Sequence, residues 1–248
     1  MEYPRYFARI SAIACIVLPQ VAIAPLLPPE SKVIAGIVWG YVPPLDRPFL
    51  QRTEGSGSRG TGCRGGTNLQ LLAPQDHIAA TTSERPTFLW YVNNTSKPIR
   101  FVLSEPGPGA KKPILDKQIN PSKPGIMGVE LPLKAKLAVG KKYRWVVSII
   151  CNKKHPSENI YAYALMEKVA MTTTLKQALR EKDNTQKALA YAQAGIWYDA
   201  LANLYKLHVA HPKDKQATQN FFGLLDQVGL SRVVKQSAKS IGRSYDTQ

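Results

Sequence analysis

The run Leu137 to Cys151, LAVGKKYRWVVSIIC, constrains the fold of this 248-residue chain more than any other stretch. In strand alternation Tyr143, Trp145, Val147, Ile149 and Cys151 share one face, while Arg144, Ser148 and Asn152 mark the other, so the run predicts a strand with one face in the core. Tyr143 enters that strand just after a Val-Gly-Lys turn, a position from which a phenol can bond back to the backbone of its own loop.

Other short apolar runs bounded by turn residues predict further strands: Leu69 to Ala73, Thr87 to Val92, Ile99 to Leu103, Ile114 to Ile119, Ile126 to Leu131 and Ile160 to Val169. Phe88, Trp90 and Val92 alternate inward on the second of these and are expected to face Tyr143 and Trp145 across the core. After Thr172-Thr173-Thr174 the apolar period changes from two to 3.6, with Leu175, Ala178, Leu179, Leu189 and Tyr191 at helical spacing and Thr174 as the expected N-cap. Strands first and helices afterwards predict an α+β fold: an antiparallel β-sandwich over 67–172, then an α-helical unit over 173–248.

The N-terminal residues read differently. Arg5 and Arg9, the apolar stretch Ile10 to Val21 and Ala22-Ile23-Ala24 make residues 1–24 an expected export signal with an A-x-A cleavage site. An uncleaved anchor stays open, because Ile10 to Leu27 approaches the ~18 apolar residues of a spanning helix. Residues 25–66 form a Pro/Gly-rich lead-in and loop that ends in GSGSRGTGCRGG. That loop lacks the strand, the helix and the Gly-Lys-Ser/Thr ending of a phosphate cradle, although Arg59 and Arg64 could hold an anion in a backbone nest. Removal of the signal leaves Cys63 and Cys151, and two cysteines in an exported chain predict one disulfide; two buried thiols are the alternative. Closing so long a loop is worth about 4 to 5 kcal/mol on the chain-entropy model.

The chain carries 33 basic and 17 acidic residues, a net charge of +16 that favours anionic partners at low salt. Between Asn68 and Ala170 the cations are nearly all lysine, a hydrated point charge suited to diffuse attraction more than to bidentate phosphate recognition. Nucleic acid is not expected, since no aromatic-basic strand motif of a known reader occurs.

Three resemblances add to this reading. The segment Thr185 to Asp214 resembles a tetratricopeptide repeat, with Ala188 and Tyr191 in a first helix, Gly195 at the turn, Trp197 and Ala200 opening a second helix and Pro212 ending it; Gly229 follows 34 positions after Gly195, which is the period of that repeat. Fewer repeats fit than stand alone, so the helices are expected to lean on the sandwich. The Pro-Thr-Phe and Gly-Lys-x-Tyr-Arg-Trp patterns and the Tyr143 corner resemble fibronectin type III and immunoglobulin-type sandwiches, which bears on fold alone. The ordered set GSRGTGC, PTFLWYV, VELPL, VGKKYRWVVSIIC and AGIWYDAL, with the exported N-terminus, resembles the cyanobacterial domain-of-unknown-function family numbered nine-two-eight over Val38 to Val234. The last resemblance implies an exported protein and no particular activity.

Candidate sites are few. His208, His211 and Asp214 have the spacing of metal ligands on one helix face, but an imidazole in a last helical turn also suits the dipole, and no metal or other cofactor is expected. His77 and His155 lie in separate loops without an evident nucleophile or carboxylate partner, so enzyme chemistry is not expected. With Trp197 pointing inward, Tyr198 is expected at the surface and with Asp199 forms a candidate partner-binding patch. Arg232, Lys235, Lys239 and Arg243 recur on one face of a C-terminal helix, a candidate contact for anionic polysaccharide or lipid headgroups. The expected function is a non-enzymatic interaction module of the periplasm or cell envelope that docks another envelope protein; binding of anionic envelope polymers is the alternative.

Overall fold

Alternating side chains build two sheets, and aromatic residues join them. The structure, a computed structural model, describes residues 40–44, 63, 67–93, 97–107, 112–180 and 182–237. The strands are β1 (Leu69–Leu71), β2 (Ala79–Thr81), β3 (Thr87–Val92), β4 (Ile99–Ser104), β5 (Leu115–Ile119), β6 (Gly125–Glu130), β7 (Lys142–Ile149) and β8 (Ile160–Lys168). One sheet has the order β1-β3-β6 and the other β2-β8-β7-β4-β5; every pairing is antiparallel except β2 with β8. Phe88 and Trp90 of β3 meet Phe101 of β4 and Trp145 of β7 with ring centroids 5.2 to 6.1 Å apart, so the sheets face each other across an aromatic core.

In β7, Tyr143, Trp145, Val147 and Ile149 are buried while Lys142 and Arg144 are exposed, which is the predicted alternation. The Tyr143 phenol accepts the Ala138 N–H at 2.7 Å. Gly140, at the left-handed φ of +76°, donates its N–H to Lys168 O and ties the loop to the end of β8. β3 departs from simple alternation, since Leu89 and Tyr91 are buried along with Phe88, Trp90 and Val92. The short strand β2 is not among the sequence expectations: its Ala-Ala-Thr carries no periodic pattern, and it forms by pairing with β8.

The helices are α1 (Thr173–Ala178), α2 (Asn184–Gln193), α3 (Trp197–Ala210), α4 (Lys215–Gln227) and α5, described over 231–237. α1 is capped by Thr172, whose hydroxyl accepts the Leu175 N–H, and not by Thr174, which lies inside the first turn. Asp183 and Asp214 cap α2 and α4 through their carboxylates. Two hairpins, α2–α3 and α4–α5, turn on Gly195 and Gly229 at φ +72° and +78°. In both, the residue after the glycine bonds back five positions, Ile196 N to Tyr191 O and Leu230 N to Leu225 O, and is itself buried. This is the Schellman closure, formed twice at the 34-residue spacing.

One core cluster runs from the sheets into the helices. All described residues belong to a single unit, Val38–Gln248. Three consecutive side chains of α3 make the join. Trp197 donates its indole N–H to Leu72 O at 3.0 Å, Tyr198 accepts the Trp145 indole N–H at 2.8 Å, and Asp199 accepts bonds from both Thr81 and Thr82.

A groove between the sheet connection and the helices

The β5–β6 connection passes from one sheet to the other through Asn120-Pro121-Ser122-Lys123-Pro124. Its prolines restrict the backbone, and Gly125 enters β6 at φ +132°, which a side chain would oppose. Across from it stand the C-terminal half of α3 and parts of α4 and α5. Between them opens a groove of about 500 Å³, lined on one side by Ile119 to Met127 and on the other by Tyr205, His208, Val209, Phe222 and Ser237.

The helical wall is aromatic. His208 stacks on Phe221 at 5.3 Å with its plane 8° from parallel, stands edge-on to Phe222, and bonds Thr218 Oγ1 at 3.1 Å through Nδ1. Burial lowers its pKa, which favours the neutral ring. Burial likewise raises the Tyr205 phenol, which packs 5.7 Å from Phe221. Val209 is 58% exposed at the mouth. Lys123 is the charged side chain among the lining residues, and no carboxylate is among them. The groove joins the β5–β6 connection to residues of α3, α4 and α5, so no local pattern in the sequence points to it.

The expected surface position of Tyr198 is corrected. Tyr198 and Asp199 are 1% and 7% exposed, because the first turn of α3 is packed against the sheets. Tyr198 packs on Phe88 and Trp145, and burial, its largest influence, raises its phenol pKa. The Asp199 carboxylate accepts Thr81 Oγ1 at 2.6 Å, Thr82 Oγ1 at 2.9 Å and Thr82 N at 3.1 Å. Lys168 is also buried and donates to Thr82 O. Burial raises the Asp199 pKa against the opposing pull of these donors and of Lys168. Asp199 thus holds α3 to β2.

The other candidates fall at separate places. Cys63 and Cys151 are joined, with Cα atoms 5.1 Å apart. Arg232 and Lys235 are exposed on α5, opposite the buried Val233; Lys239 and Arg243 lie outside the described residues, as do residues 1–24 and nearly all of the Gly-rich loop. His208, His211 and Asp214 do not converge, for Asp214 caps α4 while His208 faces Thr218 and Phe221. His155 is exposed in its turn. His77, in contrast, does have partners: Nδ1 is 2.7 Å from Asp76 and Nε2 is 2.6 Å from the Tyr41 hydroxyl. Tyr41 also stacks on the His77 ring and meets Trp197 edge-on, while its N–H donates to Gln227 Oε1. Asp76 adjoins His77 in the sequence, whereas the Tyr41 contact spans 36 residues and could not be read there.

Residues 54–238 match the model of the family described as Domain of Unknown Function (DUF928). The chain belongs to this family. The match takes in both sheets, the disulfide, both hairpins and both walls of the groove. No curated protein matches the chain. Among the described residues no helix is long and apolar enough to cross a membrane.

Proposed function

We propose that the chain is an exported, non-enzymatic module of the cell envelope that docks a partner protein in the groove between the β5–β6 connection and α3–α4. The observation that carries this is the groove itself, about 500 Å³ in volume and walled on the helical side by aromatic side chains that pack on one another. Its occupant is an extended apolar segment flanked by acidic residues, which complements Lys123 and the +16 charge of the chain. The Cys63–Cys151 pair supports export, since such bridges persist in oxidising compartments. The facing sheets with the Tyr143 corner support an immunoglobulin or fibronectin type III-like sandwich, and the twice-used glycine closure supports a tetratricopeptide-like unit.

The test is a photo-crosslinking amino acid in place of Val209 in the full-length protein within its native envelope. A synthetic copy of the crosslinked segment should bind the purified protein at high salt, and Val209→Asp should weaken that binding about ten-fold or more. Equal binding by the variant would overturn the reading. A second reading, attraction to anionic polymers, is favoured by exposed Arg232 and Lys235. It would be recognised by loss of all binding at moderate salt and by a matching loss in Arg232→Gln/Lys235→Gln.

A further inference from the structure

We infer that the β6–β7 loop is a contact for the surface of an anionic lipid bilayer. This surface is separate from the groove, and the inference does not depend on the groove having an occupant. Exposed apolar side chains mark an interaction site when they are grouped, and the two most exposed large apolar side chains among the described residues stand in this one loop: Leu133 at 75% and Val139 at 59%. Lysines accompany them. Lys134 and Lys136 follow Leu133 directly, and Lys141 and Lys142 follow Val139; all four are exposed, and no acidic residue occurs between Leu131 and Lys142. Aliphatic side chains flanked by lysines on an ordered loop suit a headgroup region, where the apolar groups enter the acyl boundary and the ammonium groups meet phosphates.

The loop is held in shape. Ala135 N bonds Pro132 O, Lys141 N bonds Ala138 O, and the Tyr143 phenol holds Ala138 at the base, so little ordering is required on contact. Gly140 ties the loop to the end of β8, from which the chain runs on to Met171, itself 42% exposed. The acids that approach this end are engaged with other cations or meet only the base of the loop. Glu105 lies 4.0 Å from Lys141, Glu167 stands opposite Lys142 in the strand register, and Glu130 pairs with Arg85. Among the described residues no carboxylate pairs with Lys134 or Lys136.

The experiment places an environment-sensitive fluorescent amino acid at Leu133 of the full-length protein. It is mixed with vesicles of phosphatidylcholine alone or of equal parts phosphatidylcholine and phosphatidylglycerol. The expected result is a blue shift of the probe on the mixed vesicles and little on the neutral ones. In co-sedimentation, Lys134→Gln/Lys136→Gln should lower partition onto the mixed vesicles roughly thirty-fold, from about five-fold per lysine near an anionic surface. Arg232→Gln/Lys235→Gln should leave the probe shift unchanged. Sedimentation without a probe shift would overturn the inference, because another part of the chain would then carry the contact. Absence of sedimentation would overturn it as well, and so would a partition that Leu133→Ser leaves unaltered, which would reduce the contact to charge alone.

Discussion

The two hairpins of the helical unit have the same closure and different surroundings. Gly195 and Gly229 sit 34 residues apart in the same left-handed conformation, each followed by a buried aliphatic that bonds back five residues. At Gly195 an added Cβ would lie 2.9 Å from Val42 O and 3.3 Å from Pro44 Cδ, whereas at Gly229 it would meet nothing. Three positions beyond each glycine stand Tyr198, fully enclosed and bonded to Trp145, and Arg232, exposed to water. One position further are Asp199, bonded to β2, and Val233, buried by apolar packing. The expectation that Tyr198 faces outward describes the second hairpin and fails in the first. The difference teaches that the local repeat sets the turn, while whatever lies against the helix sets which of its faces are core.

Substitution at the paired positions breaks this comparison most sharply where the polar join is made. Asp199→Ala leaves Thr81 and Thr82 buried without their acceptor and Lys168 without its neighbouring carboxylate, and should cost about 3 to 5 kcal/mol of unfolding free energy, against about 2 for Val233→Ala, both read by urea denaturation. Equal losses would mean that the carboxylate adds nothing beyond packing. The glycines come next. Gly195→Ala adds a backbone collision to the strain of the left-handed conformation and should lose about 3 kcal/mol, while Gly229→Ala should lose about 1 from strain alone. Thermal melts of the two variants would sink the idea if their shifts coincided.

Smaller effects sharpen the same contrast. Tyr198→Phe keeps the ring but removes the acceptor of the Trp145 indole and should cost about 1 to 2 kcal/mol; Arg232→Ala should change stability by less than about 0.5. The last contrast is one of pH. Asp199 holds its proton more tightly folded than unfolded, so the stability it contributes is fully present below the usual carboxylate pKa and is lost as pH rises through its raised folded value. The melting temperature of Asp199→Asn relative to the unaltered protein should therefore climb as pH increases through that window. A difference independent of pH would show that the carboxyl keeps its ordinary pKa when folded.

Much of the architecture is legible in single elements because it rests on short-range chemistry. Alternation marks β7, turn residues separate the strands, and Gly195 and Gly229 announce the hairpins at their repeat spacing. An even pair of cysteines pointed to Cys63 and Cys151. β2 has no signature because three small residues carry no period, and the sequence does not single out Thr172 because any of three adjacent threonines could cap α1.

The candidate site was scarcely legible at all. Its walls come from the β5–β6 connection and from three helices more than seventy residues further along the chain, and no periodicity links them. The same holds for Tyr41 on His77 and for Asp199 on Thr81 and Thr82. From the sequence alone came the α+β order, the strand faces, the glycine turns and the cysteine pair, since each is decided by residues adjacent along the chain or by a simple count. Only the tertiary structure decided that the first turn of α3 is interior, that Tyr198 and Asp199 face donors from the sheet side, and that a groove opens at the C-terminal half of the helix. Burial and partnership depend on which surfaces meet, and these surfaces belong to segments that approach only when the chain is folded.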